Sequence, residues 1–91
     1  MKRELVISNK LGLHMRAASK LVQMASGLDP EISLYCNSQS ADAKSLLDVL
    51  QLAATQGTAI VIEARGSDAE EEADALDQLC NLVNDKFGEG E

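Results

Sequence analysis

The sequence predicts an α+β domain in two layers: a four-stranded antiparallel sheet with three helices on one face, in the order βαββαβα. Two kinds of periodicity lead there. Four short segments read as strands, and three segments carry apolar residues at helical spacing. A turn or cap signal falls at most of the junctions between them. The 91 residues suffice for one small domain, 1–91, with a modest core.

The elements follow in order. Residues 3–8 alternate, with Leu5 and Ile7 on one face and Glu4, Val6 and Ser8 on the other. Residues 15–26 place Ala18, Leu21, Val22 and Ala25 on one helical face; Gly27 and then Asp29-Pro30 end that helix. Residues 31–36 alternate again, with Ile32, Leu34 and Cys36 aligned. Asn37-Ser38 is a turn signal, and a short strand follows at 38–41. Residues 43–54 are strong helix formers, with Asp42 as the expected N-cap. Its apolar residues wrap most of the way round, so Leu46, Leu47 and Leu50 cannot all face inward. Gln56-Gly57 closes that helix, and residues 58–64 form a strand with Ile60 and Ile62 aligned. Gly66 turns the chain, and Ser67-Asp68-Ala69-Glu70 matches a capping box. Ala69, Ala73, Leu76, Cys80, Val83 and Phe87 form the stripe of the last helix, and residues 88–91 read as a frayed tail.

The charge is uneven. Residues 1–62 carry net +1 and residues 63–91 net −8, within a total of −7. Nucleic acid is therefore excluded as an expected partner, because phosphate backbones need a basic footprint. The acidic third reads as the solvated side of the last helix. No apolar run is long enough for a membrane span and no signal-like leader stands at the front, so the expectation is a soluble, cytoplasmic protein without membrane insertion. Cys36 and Cys80 lie in apolar-periodic segments without metal-ligand spacing and read as buried thiols. No metal and no cofactor are expected.

The chemistry concentrates at Leu11-Gly12-Leu13-His14-Met15-Arg16-Ala17-Ala18. His14 is the only histidine and stands where a strand gives way to a helix. A helix N-terminus presents unpaired N–H groups and suits anions. Histidine can be a neutral nucleophile near neutral pH, and the planar fork of Arg16 can clamp phosphate oxygens. Nucleophile, anion cradle and cation within three residues point to a histidine that accepts a phosphoryl group.

Two segments together resemble the HPr family, the histidine phosphocarriers of the bacterial phosphoenolpyruvate:sugar phosphotransferase system. The first is Asn9-Lys10-Leu11-Gly12-Leu13-His14-Met15-Arg16-Ala17-Ala18, similar to the family's Gly-Leu-His-Ala-Arg-Pro/Ala-Ala run. The second is Lys44-Ser45-Leu46-Leu47-Asp48-Val49-Leu50, similar to its Lys-Ser-apolar-apolar-Gly-Val-apolar segment. The resemblance implies an open-faced sandwich in which His14 carries phosphate on Nδ1. It implies receipt from phosphorylated enzyme I, delivery to a histidine of an enzyme IIA domain, and a carrier that is not itself an enzyme. It also implies Ser45 as a candidate regulatory phosphoserine for a serine kinase. A monomer is expected. Three positions depart from the pattern. Ala17 replaces a common proline, which at a first helical position would pre-set φ; alanine leaves one more amide able to bond phosphate. Met15 replaces a small residue beside the histidine. Asp48 replaces glycine, helps helicity and would repel a phosphate on Ser45.

An apolar docking surface is expected from Met15, Leu46, Leu47 and Leu50, with Ser45 at its edge. The alternative is an HPr-like interaction module of the nitrogen-related branch that binds and regulates other proteins. Retention of both His14 and Arg16 argues against that as the sole role. An enzyme with a histidine base lacks its partners: no carboxylate or second nucleophile lies beside His14, and the chain is small for a deep pocket.

Overall fold

A computed structural model, which describes residues 1–88, contains the expected elements. They are β1 (Lys2–Val6), α1 (Met15–Ser26), β2 (Glu31–Cys36), β3 (Gln39–Asp42), α2 (Leu46–Gln51), β4 (Ala59–Arg65) and α3 (Ala69–Asn84), followed by a 3-10 turn at Lys86–Gly88. The strands form one antiparallel sheet in the order β1-β4-β2-β3. Three helices cover one face, giving an open-faced sandwich.

The register explains the core. Leu34 faces Ile62 and Ala41, and Leu5 faces Ile60. Because side chains alternate across a strand, Ile32, Leu34, Ile60 and Ile62 all point under the helices and are buried. Ala18, Leu21 and Ala25 of α1, Val49 of α2 and Leu76, Leu79 and Val83 of α3 close over them. The opposite face is polar and wet. There the Tyr35 hydroxyl and the Arg65 guanidinium each donate to Glu63 Oε1 at 2.8 Å. The Tyr35 bond, helped by the Lys2 and Arg65 charges, holds the Glu63 carboxyl below its ordinary value.

Four local expectations are corrected. The second helix starts at Leu46 rather than at residue 43, and its N-cap is Ser45, not Asp42. Asp42 instead turns the chain: its Oδ1 accepts the Lys44 N–H at 2.9 Å and its carbonyl accepts the Ser45 N–H at 2.9 Å. The same helix ends at Gln51, where Ala53 adopts φ +51°. The third helix is capped by Asp68, one residue later than the expected Ser67. Asp68 Oδ1 accepts the Glu71 N–H at 2.8 Å, and Glu71 reaches back to the Ser67 N–H at 3.0 Å. Phe87 is buried but lies beyond α3, at φ +54° in the 3-10 turn. Smaller shifts move β1 to residues 2–6, β3 to 39–42 and β4 to 59–65. Of the expected frayed tail, Gly88 closes the 3-10 turn and residues 89–91 lie outside the described residues.

Two lysines do structural work that sequence reasoning did not assign. Lys20 Nζ donates to the Phe87 carbonyl at 2.6 Å, tying α1 to the 3-10 turn that follows α3. Lys44 Nζ donates to the Leu28 carbonyl at 2.8 Å, tying the approach to α2 to the end of α1.

Candidate functional site

The site is the loop between β1 and α1. Gly12 opens it at φ +68°, a left-handed conformation that glycine adopts without penalty. A Cβ there would also lie 2.5 Å from the Ala54 carbonyl oxygen and 2.9 Å from Thr55 Cα. Leu13 then donates its N–H to that Ala54 carbonyl at 2.8 Å and buries its side chain. The loop is thereby pinned to the segment after α2, and His14 is delivered to the start of α1 in a fixed direction.

His14 is the N-cap of α1, with extended backbone at φ −77° and ψ 179°. Its ring is half-buried. Nδ1 accepts the backbone N–H of Arg16 at 3.3 Å. An accepting Nδ1 assigns the proton of the neutral ring to Nε2. The Nδ1 lone pair therefore points at the first-turn amides, where the helix gathers its positive potential. α1 has no acidic residue in that turn, so no carboxylate of its own competes for it.

Arg16 and Met15 are both exposed. The Arg16 guanidinium makes no hydrogen bond or ion pair among the described residues, which leaves its fork available to an incoming anion. Ala17 is the third residue of α1 rather than the first, and both Ala17 and Ala18 are buried against the core. Small side chains there let α1 sit low while its N-terminus stays at the surface.

The second sequence motif lies on α2, which packs against α1. Ser45 is half-buried and its Oγ accepts the Asp48 N–H at 3.4 Å, the N-cap bond of α2. The Asp48 carboxylate turns back to accept the Asp42 N–H at 3.4 Å. The apolar residues divide. Leu47 is 66% exposed, while Leu46 and Leu50 are half-buried against the core. Leu11, also 66% exposed, joins Met15 at 58% as an apolar side chain of the His14 loop. Sequence reading missed Leu11; a leucine directly before a turn-forming glycine is the signal that could have flagged it. No group of three or more His, Cys, Asp or Glu able to hold a metal occurs among the described residues. No helix is long and apolar enough to cross a membrane, among those same residues.

Comparison with known proteins bears on this site. The family model described as "PTS HPr component phosphorylation site" matches residues 1–85. A phosphocarrier protein HPr of Cupriavidus necator is 41% identical over 91 residues, covering 100% of this chain and 99% of that relative. A phosphocarrier protein NPr of Shewanella violacea is 43% identical over 98% of this chain and 94% of its own length. Among solved structures, HPr from Thermoanaerobacter tengcongensis superimposes with a TM-score of 0.90 at 34% identity, over 98% of this chain and 97% of that one.

Proposed function

The chain belongs to the HPr family of phosphotransferase-system phosphocarriers, and we propose that His14 Nδ1 is the atom that carries its phosphoryl group. The observation that supports this most is the 3.3 Å bond from the Arg16 N–H to Nδ1. The lone pair that would attack phosphorus already faces the amides that would receive the phosphoryl oxygens. In the step, Nδ1 attacks the phosphorus of phosphorylated enzyme I, the N–P bond forms and the donor's bond to phosphorus breaks. Phosphoryl transfer asks for positioning and charge stabilisation rather than covalent help from the protein. The first-turn N–H groups supply fixed dipoles, and the Arg16 fork supplies a mobile, bidentate cation. Delivery to an enzyme IIA histidine reverses these events, so the chain acts as a carrier and not as an enzyme.

Docking is assigned to Leu11, Met15 and Leu47, with the half-buried Leu46 and Leu50 as its floor. Apolar burial is non-directional, which lets partners of unrelated shape share one surface. Association consumes most of what such a small patch gains, leaving the quick release a relay needs. Ser45 is the candidate regulatory position for a serine kinase. A phosphate there would bring nearly two negative charges next to Asp42 and Asp48 and hinder docking. Similar identity to proteins named HPr and to one named NPr supports a second reading, in which the same relay serves regulation; the accepting enzyme IIA distinguishes the two.

The test is incubation with enzyme I and labelled phosphoenolpyruvate. The expected product is an acid-labile, alkali-stable adduct, absent in His14→Ala. Equal labelling of that variant would place the phosphoryl group elsewhere.

A further inference from the structure

Asn9 is the one buried polar residue among the described residues, at 0% exposure. It lies in the β1–α1 loop, five positions before His14. Its Nδ2 donates to the Gly12 carbonyl at 2.8 Å, and its own carbonyl accepts the Gly12 N–H at 3.2 Å. A buried N–H donor is costly unless it is bonded, a need that the Nδ2 bond to the Gly12 carbonyl meets, and a loop asparagine ordinarily stays wet. Here it closes a turn of four residues from inside. That turn ends on left-handed Gly12, seated against Ala54, and the next residue bonds the Ala54 carbonyl. His14 follows directly, so the direction of its side chain is inherited from a backbone whose inner hold is Asn9.

We propose that Asn9 is a positioning residue for phosphoryl transfer. It fixes the Gly12 carbonyl, and through it the Leu13–His14 backbone, in the pose that aims Nδ1 at the first turn of α1. It touches neither the phosphoryl group nor the partner. The proposal rests on the reading of His14 as acceptor. A residue that only filled space would, when removed, lower stability and leave the rate of a folded molecule unchanged.

The experiment measures steady-state transfer from phosphorylated enzyme I to Asn9→Ala and Asn9→Ser, beside the Arg16 amide and His14 ring nitrogen signals in NMR spectra. Each variant is also made in a Ser38→Gly background. Ser38 sits at φ +66° in the turn between β2 and β3, where glycine relieves strain far from the loop and offsets lost stability. The expected result is a fall in kcat of about tenfold with KM for the chain unchanged. The Arg16 amide and His14 Nδ1 signals move, and the slow rate persists in the stabilised background. A folded Asn9→Ala with wild-type kcat and unmoved signals would overturn the proposal, as would recovery of the rate along with Tm in the Ser38→Gly background. Failure of every variant to fold would make Asn9 a folding residue and also overturn it. An unlabelled His14 in the wild type would remove the acceptor reading itself, and this proposal with it.

Discussion

The two long helices begin in opposite ways. α3 starts on Asp68 and carries Glu70, Glu71 and Glu72 in its first turn. Three of these four carboxylates are spent on backbone N–H groups of the same region: Asp68 on Glu71, Glu71 on Ser67, and Glu72 on Gly66 at 2.9 Å. α1 starts on His14 and has no acidic residue in its first turn. Both ends obey one rule, that a helix N-terminus favours negative charge. One satisfies it from within and is structural. The other leaves it open, with His14 as its cap; in the function proposed above, the charge it favours arrives from outside.

The contrast can be broken by giving α1 what α3 has. Met15→Glu places a carboxylate in the first turn of α1. It should stabilise the helix by about 0.3–1 kcal/mol while slowing transfer roughly tenfold or more through repulsion of the incoming phosphoryl group. Met15→Gln separates charge from lost apolar contact, and should recover most of the rate. Transfer kinetics and thermal unfolding on the same samples check both signs; a variant that gains stability and transfers normally would mean that the open N-terminus is not used. Next in size is Arg16→Lys, which keeps the charge and loses the fork. We expect slower transfer with Tm unchanged, since the guanidinium is exposed, and stopped-flow transfer rates decide it.

At α3 the effects should fall on stability alone. Asp68→Ala removes the cap and should destabilise by about 1 kcal/mol, read by urea unfolding, with phosphoryl transfer at the wild-type rate. The smallest expected effect is in acid. The Gly66 N–H holds the Glu72 carboxyl below its ordinary value, helped by the N-terminal ammonium group. A carboxyl whose pKa is lowered by folding stabilises the fold above the unfolded value, about 4.3 for glutamate, and loses that contribution as pH falls through the lower folded value. Amide protection in the first turn of α3, taken relative to the intrinsic exchange rate at each pH, should therefore fall below about pH 4, and that of α1, which has no carboxylate there, should not follow it.

The legibility of these regions differs for a physical reason. Around His14 the chemistry is consecutive in sequence, because a strand-to-helix turn assembles cap, cradle and cation from neighbours. The strand faces were equally plain, since Ile32, Leu34, Ile60 and Ile62 alternate without interruption. The start of α2 was not. Asp42 is a good cap by residue type, but it closes a turn at Lys44 and Ser45, and the capping passes to Ser45. The α3 cap slipped by one because Ser67, Asp68, Glu70 and Glu71 fit two overlapping capping boxes, and hydrogen bonding chose the later pair. Among the leucines of α2, composition showed a surplus of apolar residues but not which of them stays outside; the path of the six-residue helix exposes Leu47 and tucks in Leu46 and Leu50. Asn9 was illegible as a buried group because the turn it closes is seated, through Gly12 and Leu13, against Ala54, which lies in a different part of the chain.

The measurement that bears most directly on the account is NMR of the phosphorylated chain with its histidine labelled with nitrogen-15. The account requires a single phosphorus-31 signal coupled to His14 Nδ1, together with a shift of the Arg16 amide as its bond passes from the ring nitrogen to a phosphoryl oxygen. Coupling to Nε2, which faces away from the Arg16 amide, or a phosphorus signal coupled to no ring nitrogen, would contradict it.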